Sequence, residues 1–179
     1  MRWPDRAWPV APRPFSDETF GSWFGRVASR YRMGIDELAE DAGVTLEIDA
    51  TCQGWLTMPP PSDESLRRLA WLARLPSNAL TRLESERSPP RWLVFCHLCL
   101  FLNPVSVEEP YWRSGWVAQS DRWCATHHVQ LARVRCSLTA SARNLTKLLK
   151  HISRHRVTRF RWERDIADYS AASKVRDHR

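Results

Sequence analysis

The 179-residue chain lacks any long apolar run. Its most hydrophobic stretches, 92–95 and 98–102, fall far short of the roughly 18 residues that span a bilayer, so no membrane segment is expected. An apolar leader core is missing as well. The opening, 1–14, is rich in Pro and Trp instead, and a cytoplasmic protein is expected. Lysine is scarce, three against 24 arginines. Arginine suits phosphate and carboxylate recognition, but GC-rich coding gives the same bias, so the ratio carries little weight. Cysteine is also limited, and its count of five is odd, which argues against a secreted disulfide framework. Where thiols stay reduced, paired cysteines point to metal.

Four residues carry the strongest signal. Cys96 and Cys99 form C-x2-C, a gap of 24 residues follows, and Cys124 and His127 form C-x2-H. Each close pair can sit on a tight knuckle and present two donors to one point, a full ligand set for one tetrahedral, structural zinc. A redox reading is weaker, because the segment has no thioredoxin-like βαβ pattern and a second ligand pair is present. A catalytic zinc is weaker still, since four protein ligands close the coordination sphere. His97 and His128 neighbour the ligands and are alternatives to His127. Cys52 and Cys136 read as ordinary thiols.

Around this quartet the chain reads as mainly α. The Pro-rich arm lies extended, with Trp3 and Trp8 as anchors. Ser16 is expected to cap a helix with Asp17 and Glu18 in its first turn. Phe20, Trp23, Phe24, Val27, Ala28 and Tyr31 then form one helical stripe. Met33–Gly34 breaks it, and a shorter helix through Ile35, Leu38 and Ala39 ends at Gly43. Beyond Pro59–Pro61, Ser62 caps a helix with Leu66, Leu69, Ala70 and Ala73 on one face. Pro76 interrupts, and Ser77 caps another with Leu80 and Leu83. Both pairs read as helix-turn-helix-like hairpins of similar plan, whose residues do not align closely enough for a sequence repeat. Between the ligand pairs, the aromatics around Ser114–Gly115 favour a small hairpin over 111–118. From about Ser141 the chain is helical again. The expected parts are a helical domain over 1–90, a zinc-finger module over 91–138, and a basic helical tail over 139–179.

The charge of +7 sits in that tail: residues 140–179 hold eleven Lys/Arg against four acids, and the rest balances. Arg143, Lys147, Lys150, Arg154, Arg156, Arg159, Arg161 and Arg164 are the candidate DNA contacts, interleaved with Phe160 and Trp162. The second helices of both hairpins carry acids (Asp36, Glu37, Glu40, Asp41; Glu84, Glu86) where a groove reader would meet phosphate, which favours protein contacts there. The ten tryptophans read as core. Trp23 and Trp71 do so within helices, and Trp112, Trp116 and Trp123 around the zinc.

These pieces resemble the TniQ family. The segment 15–28, with Glu18, the Ser22-Trp23 pair and Arg26, is similar to that family's opening helix. Cys96-His97-Leu98-Cys99, Tyr111-Trp112-Arg113 with Trp116, and Cys124-Ala125-Thr126-His127 are similar to its zinc-finger stretch in order and spacing. The likeness covers roughly residues 12–136. It implies a helix-turn-helix plus zinc-finger fold and a non-catalytic target-selection protein of Tn7-like and mercury-resistance-type transposons. Such proteins link a target-recognition element, DNA or in some systems a CRISPR effector complex, to an AAA+ ATPase that recruits the transposase. A second copy of the chain is a further candidate partner. One departure stands out: a second Cys-x-x-Cys pair, common in the family, is broken here, because Cys136 is followed by Ser137, Leu138 and Thr139. The alternative from another class is a stand-alone, zinc-containing DNA-binding transcriptional regulator. A zinc-dependent hydrolase or nuclease is disfavoured by the closed ligand set.

Overall fold

The computed structural model describes residues 6–47, 54–83, 92–101, 110–118 and 122–154. Thr19, not Ser16, caps the first helix, α1 (Phe20–Tyr31), by accepting the Ser22 N–H at 3.1 Å. The chain stays extended that far because Glu18 pairs with Arg113 in an isolated antiparallel bridge. The apolar stripe of α1 is buried as expected, with Tyr31 half-buried. Its opposite side is buried too. Gly21, Ser22, Gly25 and Arg26 have no solvent face, so α1 is a central axle rather than an amphipathic surface helix. Gly21 and Gly25 let a 3₁₀ turn (Trp55–Thr57) dock directly on it: a Cβ on Gly21 would lie 2.2 Å from the Trp55 carbonyl oxygen. Trp55 then donates its indole N–H to the Ala142 carbonyl at 2.6 Å.

Helix α1 ends at Arg32, in the left-handed region at φ 59°, and α2 (Ile35–Ala42) begins after Gly34, whose N–H the Glu37 carboxylate accepts at 2.7 Å. Gly43 closes α2 at φ 62°, and buried Arg68 donates to the Ala42 carbonyl. Ile35, Leu38, Ala39 and Ala42 face inward, leaving Asp36, Glu37, Glu40 and Asp41 exposed. Ser62 caps α3 (Asp63–Leu72) as expected. The helix expected after Ser77 does not form. Residues 77–82 make turns, and the Thr81 hydroxyl donates to the Asn78 carbonyl at 2.9 Å, a local bond that competes with helical pairing. Leu80 and Leu83 are buried nonetheless. The second hairpin therefore has one helix, and the expected boundary between 1–90 and 91–138 lies outside the described residues.

Strand β1 (Trp92–Phe95) pairs antiparallel with β2 (Ala132–Arg135), from Trp92 opposite Arg135 to Phe95 opposite Ala132. Between them lie α4 (His97–Phe101) and α5 (Ser114–Val117). The hairpin expected over 111–118 is thus replaced by a short helix. The extended stretch before it pairs with the N-terminal arm instead: Thr19 N–H donates to the Trp112 carbonyl at 3.1 Å, and Ser114 N–H to the Asp17 carbonyl at 2.7 Å. After α6 (Ser137–Ala140), Asn144 accepts the Lys147 N–H at 3.1 Å and starts α7 (Leu145–Arg154). Leu145, Leu148 and Ile152 are buried, with α7 packed along α1.

Trp8, Trp23, Trp55, Trp112 and Trp116 are core. Trp71, Trp92 and Trp123 are not, at 53%, 38% and 62% exposed. Trp71 falls on the outer side of α3, and Trp123 alternates with buried Cys124 on extended backbone, so its side chain turns outward. Trp3 and Trp162 lie outside the described residues.

Candidate metal centre

Pairing of β1 with β2 places both knuckles at one end of the sheet. Cys96 follows directly on Phe95, and the first turn of α4 brings Cys99 beside it, with Leu100 N–H donating to the Cys96 carbonyl at 3.1 Å. The second knuckle is closed by a Trp123–Gln130 bridge and by the Cys124 N–H donating to the Val129 carbonyl at 2.8 Å. His128 turns the chain there at φ 55°.

The four donors converge. Cys96 Sγ and Cys124 Sγ each lie 3.6 Å from His127 Nδ1, Cys99 Sγ lies 3.2 Å from it, and Cys99 Sγ lies 3.7 Å from Cys124 Sγ. A tetrahedral zinc with ordinary bond lengths separates two sulfurs by about 3.8 Å and sulfur from nitrogen by about 3.6 Å. The group therefore has the dimensions of one such ion, and it could hold one metal. His127 occupies the fourth position, while His97 is buried and His128 exposed, neither within the group.

The thiols also have the electrostatics of a cation site. Hydrogen bonds from Cys96 and Cys99 hold the Cys124 thiol well below its ordinary value. The same sharing pushes Cys96 up to about 11 and Cys99 further up. Three close thiolates repel one another, and a bound cation is what lets all of them ionise. Cys136, buried at the end of β2, stands apart from the group.

Beside this centre lies a second set of polar residues that the helical stripe gave no reason to single out. Glu18, Ser22 and Arg26 are all at least 95% buried. Arg26 grips the Glu18 carboxylate through Nε at 2.9 Å and Nη2 at 2.8 Å, and Ser22 donates to it at 2.8 Å. Burial pushes the Glu18 carboxyl above its ordinary value, and the charge and hydrogen bonds of Arg26 pull the other way without cancelling it. Arg26 also donates to the Arg13 carbonyl at 2.7 Å, while the Ser22 hydroxyl accepts the Trp112 N–H at 2.7 Å. On the rim, Asp17 accepts from the Tyr111 hydroxyl at 2.9 Å and pairs with Arg113 at 3.3 Å. The arm, α1 and the segment leading to α5 are thus tied together. The signal was present in the sequence as polar residues at 18, 22 and 26: Ser22 and Arg26 lie one turn apart on α1, opposite the apolar stripe, and Glu18 meets both from the extended stretch before the Thr19 cap.

The TniQ family model matches residues 9–131. The chain belongs to the TniQ family. In this TniQ protein the match takes in all four metal-group residues and the Glu18–Arg26 latch, and stops short of β2 and α7. Membership makes it a transposition-associated target-selection protein. The comparison with curated proteins gives no match. Among the described residues, no helix is long and apolar enough to cross a membrane.

The basic candidates divide. Lys147, Lys150 and Arg154 are exposed on α7, and Arg143 pairs with Glu37 of α2. Arg156, Arg159, Arg161 and Arg164 lie outside the described residues.

Proposed function

We propose that this protein is a non-catalytic cytoplasmic adaptor that links a target-recognition element, DNA or a CRISPR effector complex, to an AAA+ ATPase of the transposition machinery. Family membership supplies the process, and the observation that carries the adaptor reading is the donor set of the metal group. Three cysteines and a histidine complete the sphere of one structural zinc and leave no position for water or substrate. Such an ion clips the 92–135 module to shape and performs no chemistry. The latch beside it then fixes the module against α1, so that surfaces on the two parts keep a constant relation. Holding the ATPase and the target element on one rigid body raises the local concentration of each at the other. The acidic face of α2 suits a protein partner, and exposed Lys147, Lys150 and Arg154 suit phosphate.

The test is co-purification of the metal-loaded full chain with the ATPase of the same element, with and without nucleotide and DNA. Complex formation is expected, and Cys99→Ser should abolish it. No complex under any condition, together with sequence-specific DNA binding by the protein alone, would overturn the adaptor in favour of a stand-alone regulator.

A further inference from the structure

Between the N-terminal arm and the turns after α3 lies a cleft of about 440 Å³ that takes no part in the functions above. Arg13, Arg74 and Arg82 line it, all exposed, and no acidic residue does among the described residues. None of the three forms an ion pair among the described residues. Pro14, Leu75 and buried Leu83 supply its apolar lining. Three guanidinium groups around an apolar hollow, with no counter-charge among the described residues, match carboxylates flanking an apolar anchor.

The backbone at Arg74 is a second, independent observation. It sits in the left-handed region at φ 56°, where α3 ends with Arg74 N–H donating to the Trp71 carbonyl and Leu75 N–H to the Ala70 carbonyl. Glycine adopts this conformation without strain and is the usual residue at such a helix end. An arginine there is conformationally costly, and its side chain lines the cleft.

The opposite wall is preformed. The Pro12 carbonyl accepts the Trp23 indole N–H at 2.9 Å, and the Arg13 carbonyl accepts from Arg26 at 2.7 Å. A ligand therefore meets a built site and does not have to order the arm. Among the described residues, Phe15 is the one aromatic lining residue. Its ring is already stacked on Tyr111 at 4.1 Å and covered by the Arg26 guanidinium at 4.7 Å. That leaves no platform for a nucleobase, which disfavours single-stranded nucleic acid.

We infer that this cleft binds an acidic peptide segment of a partner protein, its carboxylates on Arg13, Arg74 and Arg82 and an aliphatic or aromatic anchor against Leu75 and Leu83.

The experiment follows fluorescence anisotropy of the metal-loaded full chain with a fluorescein-labelled hexapeptide, EDLFDE. Saturable binding is expected, with EDSSDE, which keeps the charge and lacks the anchor, binding more weakly. Arg74→Gly should weaken EDLFDE binding roughly tenfold or more, through removal of one charge-assisted pair. Its thermal midpoint should equal or exceed that of the unsubstituted protein, because glycine relieves the left-handed strain. Arg82→Glu should weaken binding similarly, and Lys150→Glu on α7 should leave it unchanged. The proposal is overturned if EDLFDE does not bind, if EDSSDE binds as tightly, if both cleft substitutions leave affinity unchanged, or if unlabelled oligothymidylate displaces the peptide more effectively than unlabelled EDLFDE does.

Discussion

The Ser22 hydroxyl accepts the backbone N–H of Trp112 at 2.7 Å across 90 residues of sequence, and donates in turn to Glu18 at 2.8 Å. One buried oxygen thus joins α1 to the segment between the two halves of the metal group. Ser22 is fully buried, so neither partner can turn to water if it is removed.

Breaking this latch should be expensive. Arg26→Ala leaves the Glu18 carboxylate buried without its charge partner and should cost about 3–5 kcal/mol. Ser22→Ala removes a partner from one buried N–H and one carboxylate oxygen, and should cost about 1–3 kcal/mol. Arg26→Lys should fall between, because an ammonium cannot reproduce the two-point grip. Urea midpoints of the metal-loaded chain rank the three. Arg26→Lys as stable as the unsubstituted protein would show that the two-point grip contributes nothing.

Metal content is the next check. Purified protein should carry one equivalent of zinc, since among the described residues one group has ligand geometry and Cys136 stands outside it. Chelation, or Cys99→Ser, should unfold the 92–135 module, because binding energy at such small sites is largely folding energy. Near-ultraviolet circular dichroism of buried Trp112 and Trp116 reports it. Zero or two equivalents of zinc would contradict the prediction.

Gly21→Ala tests the docking of the 3₁₀ turn on α1. In an isolated helix alanine is favoured by about 1 kcal/mol, yet here the added methyl would meet two carbonyl oxygens within 2.5 Å. Overpacking against backbone should win and destabilise the protein by about 1–3 kcal/mol net. A stabilised variant in thermal unfolding would mean that the Trp55–Thr57 turn moves aside freely.

Much of this was legible because it is local. The stripe from Phe20 to Tyr31, the stop at Gly43 and the Ser62 cap are set by near neighbours, and the ligand spacing of 96, 99, 124 and 127 speaks for itself. What failed depended on distant partners. Ser16 gave up the cap to Thr19 because Glu18 pairs with Arg113, and that same pairing took the strand that a hairpin over 111–118 would have used. Trp71 looked like core by residue type, but one position of helical phase puts it outside. The spacing of Glu18, Ser22 and Arg26 was visible. Its burial was not, because burial follows from the elements that close over it.

The last prediction concerns DNA and is shaped by α7. The charge surplus of the chain lies beyond residue 139, so salt-sensitive and largely sequence-independent binding is expected there. Deleting this region is a poor test. Leu145, Leu148 and Ile152 are buried against the body, and Asn144 donates to the Met33 carbonyl at 2.8 Å, so truncation would open the core. Charge reversal at exposed Lys147, Lys150 and Arg154 keeps the packing and leaves the facing phosphates without their cations. Each phosphate no longer neutralised should flatten the log–log salt dependence of duplex binding by about 0.9. The triple variant should therefore bind more weakly at low salt and converge on the unsubstituted protein as salt rises, with an unchanged thermal midpoint. Parallel salt curves for the two proteins would remove α7 from the DNA interface.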